Sequence, residues 1–235
     1  NTTKGVVLAS GGYCANPAMV KEYDEYWGDD LTATTLTTNV GTNKGDGIIM
    51  AQAVGADVVD LGLCSTPISY YANAALGCDA GIMITASHNP GEYNGFKLSR
   101  ANAVPISGVT GIADIEKIIT EGKYAPAAAT PGKIEAIDMT AAYADEFRKV
   151  ADIKRPVRIV ADFANAMGVW EAKTFEGLPI EIVPLFETPD GSFPNHEANP
   201  LKTETLDDLR AAVKKGGFDF GVSFDGDADR AGFVD

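Results

Sequence analysis

Basic side chains are scarce in this sequence: 19 lysines and arginines stand against 33 aspartates and glutamates, for a formal net charge of -14. That balance argues against a nucleic-acid partner, because phosphate backbones are bound by clustered Lys and Arg. The three cysteines, Cys14, Cys64 and Cys78, are odd in number and lack Cys-x-x-Cys spacing. They suggest neither a disulfide framework nor a structural zinc site, and they fit a reducing, cytoplasmic setting. No apolar run is long enough to span a bilayer, so no membrane partner is expected. The chain opens with Asn1 and no secretory pattern follows, which reads as a truncated or processed start. A Gly-x-Ser-x-Gly elbow is also missing, and with it the usual mark of a hydrolase triad.

What remains is a chain that is 45% hydrophobic and 22% charged, as in soluble globular enzymes. At 235 residues it can hold two cores of the common size of about 100 to 150 residues each. Apolar strand candidates alternate with helical stretches, giving βαβ punctuation. In the first half these are Val58 to Leu61, Ile68 to Leu76, Ile82 to Ile84 and Ile112 to Ile119. A second series follows a polar helix from Met139 to Val150. It comprises strand Val157 to Ala161, helix Val169 to Phe175, strand Ile180 to Leu185, helix Thr203 to Lys215 and strand Phe218 to Phe224. The division is therefore expected near 135 to 155, giving domains 1–140 and 141–235. Ala125 to Gly132 is rich in Ala and Pro and reads as a flexible surface connector.

Two loops carry chemistry. After the apolar run Gly81-Ile82-Met83-Ile84 comes Thr85-Ala86-Ser87-His88-Asn89-Pro90, then Gly91-Glu92-Tyr93-Asn94-Gly95-Phe96-Lys97. A hydroxyl nucleophile, an imidazole and an ammonium thus lie where a buried strand leaves its sheet. The bland alternative for Ser87 is an ST-turn or N-cap role. The second loop is Asp225-Gly226-Asp227-Ala228-Asp229-Arg230. Three carboxylates at alternate positions repel one another, and a divalent cation that favours oxygen, whether magnesium, manganese or calcium, is the natural compensation. An EF-hand fits poorly, because it needs glycine where Arg230 stands and helices where these flanks read as strands.

Taken together, the two loops resemble the alpha-D-phosphohexomutase superfamily, especially its phosphomannomutase/phosphoglucomutase branch. Ser65-Thr66-Pro67, Arg158 to Gly168 and Pro189 to His196 extend the resemblance over most of the chain. It implies an α/β fold of two consecutive α/β/α domains with mixed, mostly parallel sheets, like the first two domains of such enzymes. It also implies that Ser87 is a phosphoserine and that one magnesium ion is held by Asp225, Asp227, Asp229 and a Ser87 phosphate oxygen. Lys97 matches the family's proposed general acid/base, and His88 an active-site residue beside the phosphoserine. Arg230 is expected to reach that phosphoserine, and His196 to be structural.

The implied reaction interconverts hexose 1-phosphate and hexose 6-phosphate by phosphoryl transfer, with hexose 1,6-bisphosphate as intermediate and activator. Tyr93 to Lys97 leans toward glucose or mannose phosphates. The family's opening arginine segment is not found, and Gly41 to Gly47 stands where G-R-D-x-R normally follows. Its later G-E-x-S-G-H and R-x-S-G-T loops are not found either, so the expectation is a catalytic half lacking a C-terminal half. The alternative is a truncated, non-catalytic relative that binds magnesium or a phosphosugar and acts through a partner.

Overall fold

The computed structural model describes residues 6–9, 16, 18–19 and 45–235. Cys14 and residues 41–44 of the segment expected to replace G-R-D-x-R lie outside the described residues. Two compact units are present. The first comprises residues 1–63, 72–84 and 97–138, and the second 64–71, 85–96 and 139–235.

The elements up to residue 136 are β1 (Val6–Ala9), α1 (Asp46–Ala53), β2 (Val58–Asp60), α2 (Thr66–Ala75), β3 (Ala80–Ile84), β4 (Phe96–Arg100), β5 (Val104–Pro105), α3 (Ala113–Glu121) and β6 (Ile134–Ala136). Their strands form one sheet in the order β5-β4-β3-β1-β2-β6. Strand β1 lies parallel to both β2 and β3, with Val6 opposite Val58 and Ala80, and β2 lies parallel to β6. Ile48 of α1 is fully buried and packs with Val58 and Ile82, the apolar contact that seats this helix on the sheet. The Ala125 to Gly132 segment is tied down rather than a loose connector. Ala128 N donates to Ala53 O at 2.8 Å, Gly132 N to Gln52 O at 3.0 Å, and Gln52 Nε2 to Gly132 O at 3.1 Å.

The second unit contains α4 (Thr140–Val150), β7 (Val157–Asp162), α5 (Gly168–Ala172), β8 (Ile180–Leu185), α6 (Asp207–Lys214), β9 (Phe220–Phe224) and β10 (Ala231–Val234). Its sheet runs β10-β9-β7-β8, parallel except for the β9–β10 pair. Strand side chains alternate between faces, so β7 divides its apolar residues between two cores. Ile159, Ala161 and Phe163 pack with Val222 and Phe224 on one face, where Val169 and Ala172 of α5 cover them. Val160 packs with Leu206 and Leu209 on the other, under α6. A strand buried on both faces needs a continuous apolar run, and Val157 to Ala161 supplies it, interrupted only by Arg158. Acids Asp207 and Asp208 open α6 and Lys214 closes it, the charge order that its dipole favours. The α/β class with mostly parallel sheets is as expected.

Candidate functional site

Strand β9 is almost wholly buried and delivers the chain to Asp225 at its carboxyl end, the end where parallel α/β sheets place their ligands. The acidic loop closes on itself. Asp225 N donates to Arg230 O at 3.2 Å, Arg230 N to Asp225 Oδ1 at 3.0 Å, and Ala228 N to Asp225 O at 3.1 Å. Asp225 and Asp227 are 0% and 1% exposed. Carboxylate oxygens of Asp225, Asp227 and Asp229 lie within 4.8 Å of one another. Burial, and then the charges of Asp227 and Asp229, push the Asp225 carboxyl up to about 6, against the backbone hydrogen bond from Arg230. Arg230 offers a single compensating charge, its Nε standing 4.0 Å from Asp225 Oδ2 and 3.9 Å from Asp229 Oδ1. Three carboxylates gathered this closely are hard oxygen donors, a set that fits a divalent cation such as magnesium.

The serine loop is built differently. Thr85 N donates to Gly95 O at 3.0 Å and pins the two ends of the loop together. Ser87 adopts φ 57°, a left-handed backbone uncommon for a serine and frequent at functional sites. Its amide donates to Thr85 Oγ1 at 2.8 Å, and the amide of Asn89 to Ala86 O at 3.1 Å.

These two loops meet within the second unit. Ser87 Oγ lies 3.3 Å from Asp225 Oδ2 and 3.3 Å from His88 Nδ1, so one hydroxyl proton has two acceptors. Arg230 Nη1 stands 2.5 Å from His88 Nδ1. Arginine only donates, so this nitrogen accepts and the ring proton is assigned to Nε2. The approach depends on Gly226, since a Cβ there would stand 2.1 Å from the carbonyl oxygen of Ser87. Met167 N donates to Gly226 O at 3.2 Å and holds that backbone in place.

Six of the seven residues singled out in the sequence are thus gathered here: Ser87, His88, Asp225, Asp227, Asp229 and Arg230. The seventh, Lys97, is a half-buried residue of β4 in the first unit. His196 pairs with the fully buried Asp162, Nε2 to Oδ2 at 3.0 Å, at the end of β7, where Asp162 stands opposite Ser223 of β9. Reasoning from the sequence passed over Gly226, whose only signal was its place between two aspartates. It named Thr66 only within Ser65-Thr66-Pro67 and gave it no role, whereas its hydroxyl donates to Asp227 Oδ2 at 2.6 Å.

Known proteins share this arrangement of domains. Residues 47–125 match the family model for phosphoglucomutase/phosphomannomutase, alpha/beta/alpha domain I, and residues 141–235 match the one for domain II. A phosphomannomutase of Escherichia coli is 38% identical over 217 residues, covering 88% of this chain and 47% of its own. A phosphomannomutase/phosphoglucomutase of Pseudomonas putida is 40% identical over 184 residues, covering 77% and 38%. The crystal structure of a phosphoglucomutase/phosphomannomutase family protein from Burkholderia thailandensis aligns with TM-score 0.76 at 30% identity, over 98% of this chain and 46% of that one. The chain spans about half the length, or less, of the curated relatives it matches. With two successive domain matches covering most of its residues, the chain belongs to the phosphoglucomutase/phosphomannomutase family.

Proposed function

We propose that this chain carries the phosphoryl group of a hexose phosphate mutase that interconverts 1-phosphates and 6-phosphates of glucose or mannose. Ser87 is the residue phosphorylated. Asp225, Asp227 and Asp229, with a Ser87 phosphate oxygen, would hold magnesium, which supplies neutralisation of the charge that spreads over phosphoryl oxygens. Along the sequence the domains are assigned to 1–140 and 141–235, in keeping with family matches that end at 125 and resume at 141, although residues 64–71 and 85–96, with Ser87, cluster by contact with the second unit.

The observation that carries this reading is the 3.3 Å approach of Ser87 Oγ to Asp225 Oδ2 across 138 residues of sequence. A phosphate on Ser87 adds a charge of about −1.5 to −2. Beside three carboxylates, that charge needs a cation.

In the first half-reaction the bond from Ser87 Oγ to phosphorus breaks as a phosphorus–oxygen bond to a sugar hydroxyl forms. Lys97 takes the proton of that hydroxyl, a task normally worth roughly 100- to 10,000-fold in rate. The electron pair stays on Ser87 Oγ, and a His88 ring protonated at both nitrogens gives its Nδ1 proton across 3.3 Å to restore the hydroxyl, which leaves Nδ1 as the acceptor it is beside Arg230. Arg230 orients His88 and steadies the phosphoryl oxygens. The sugar, now a hexose 1,6-bisphosphate, returns its other phosphate to Ser87 by the reverse steps, so no net donor is consumed.

Incubation with glucose 1,6-bisphosphate should add one phosphate by intact mass, mapped to Ser87, and Ser87→Ala should take up none. Label on another residue, or label that survives the substitution, would overturn the assignment. Failure to label at all would favour the non-catalytic binding role.

A further inference from the structure

We propose that Thr66 is a positioning residue for the acidic loop, fixing Asp227 by its backbone and by its carboxylate at once. This inference rests on the metal reading of Asp225, Asp227 and Asp229 given above.

Helix α2 begins at Thr66, and the first amides of a helix have no partner inside it. Thr66 N donates to Asp227 O at 3.0 Å, and Thr66 Oγ1 donates to Asp227 Oδ2 at 2.6 Å. Both residues are buried, Thr66 at 0% exposure and Asp227 at 1%. A carboxylate on a tight loop can rotate about its side-chain bonds. A hydroxyl fixed on one oxygen removes that freedom and sets the direction of the other. Two bonds from one residue therefore set both the height of the loop and the aim of a metal ligand, the task of outer-shell partners in metal sites.

Thr66 is itself held. The Ser65 hydroxyl donates to Glu171 Oε1 and accepts from Ile68 N at 3.4 Å, as an N-cap residue does. Glu171 in turn receives the Tyr143 hydroxyl at 3.1 Å, so α4 and α5 brace the start of α2. Pro67, within the first turn, lacks an amide and leaves no orphan donor there. Ser65-Thr66-Pro67 reads in this way as one device. Its first residue anchors the helix start, its second grips Asp227, and its third fits the first turn.

Manganese binding to the full 235-residue chain, followed by electron paramagnetic resonance, tests the idea with Thr66→Val, Thr66→Ser and Asp227→Asn, each checked for folding by its melting curve. Thr66→Val keeps shape and loses the hydroxyl, and should bind Mn2+ roughly 10- to 100-fold more weakly, the usual effect of losing an outer-shell partner. Thr66→Ser, which keeps the hydroxyl, should stay within about twofold of the parent by the same reasoning. If Asp227→Asn weakens binding and a folded Thr66→Val does not, Thr66 is only a packing residue and this inference falls alone. If Asp227→Asn also leaves binding unchanged, the metal reading falls with it. Should Thr66→Val not fold, Thr66→Ser decides: a folded serine variant that binds as weakly as Asp227→Asn overturns the proposal, and parent-like binding supports it.

Discussion

The loop that bears Ser87 is half-exposed and held mainly by its own residues, through Thr85, Ala86 and Gly95. The loop that bears Asp225 and Asp227 is buried and is held from outside as well, by Thr66 on one side and Met167 on the other. The contrast follows from the chemistry proposed for each. Buried carboxylates cannot be left to find their own orientation, because misplaced charge in a low-dielectric site is costly, so their supports are distributed over several elements. A nucleophile that must meet a substrate has to stay reachable, so its loop is stiffened by short local bonds and a left-handed residue instead. Gly226 is where the two designs touch.

Replacing that glycine should break the comparison most severely. Gly226→Ala places a methyl group 2.1 Å from the Ser87 carbonyl oxygen, and one loop must move. A loss of roughly 1–3 kcal/mol in stability is expected from overpacking, read from chemical denaturation. Phosphate uptake at Ser87 should fall further than stability does. Parent-like labelling by Gly226→Ala would mean that the contact between the loops is incidental.

A smaller effect is expected at His196, whose partner Asp162 stands opposite Ser223, two residues before the acidic loop. Its ring stands between Asp162 Oδ2 at 3.0 Å and the Glu197 carbonyl at 2.9 Å, two acceptors that suit a ring protonated at both nitrogens. The hydrogen bond with Asp162 holds the imidazole above its ordinary value, against the opposing effect of burial, with further help from the Glu197 carbonyl and the charges of Asp162 and Asp208. A raised histidine contributes stability that is complete below its unfolded value, near 6.5, and is lost as pH rises through its folded value. Melting temperature should therefore decline from pH 6 upward, and His196→Gln should flatten that decline, a difference of about 1 kcal/mol. An unchanged pH profile in His196→Gln would show that the pair is not protonated in the fold.

Much of this architecture could be read from local pattern. Ile180 to Leu185 is a strand over just the expected residues, and Val157 to Ala161 ends one residue later than expected, because apolar runs of that length have few other uses in an α/β chain. Thr203 to Lys215 was harder. Its first four residues form a 3-10 turn, since the Thr205 hydroxyl bonds to the carbonyls of Asn199 and Lys202 and competes with a helical start. Strand β4, Phe-Lys-Leu-Ser-Arg, carries no apolar run and follows a glycine-rich loop without a break, so nothing local announces it. In the site, alternating aspartates and the Ser-His pair were plain because their chemistry is local. The grip of Thr66 on Asp227 spans 161 residues, and no spacing rule reaches that far.

Magnesium titration by calorimetry, on the chain with and without phosphate at Ser87, addresses the convergence of the two loops most directly. A phosphate adds a hard anionic ligand to the three carboxylates, and affinity in such oxygen sites rises with ligand charge. The phosphorylated form should bind magnesium more tightly, on the order of tenfold by that argument. Equal affinity in the two forms would contradict the account, because a phosphate on Ser87 would then lie apart from Asp225, Asp227 and Asp229.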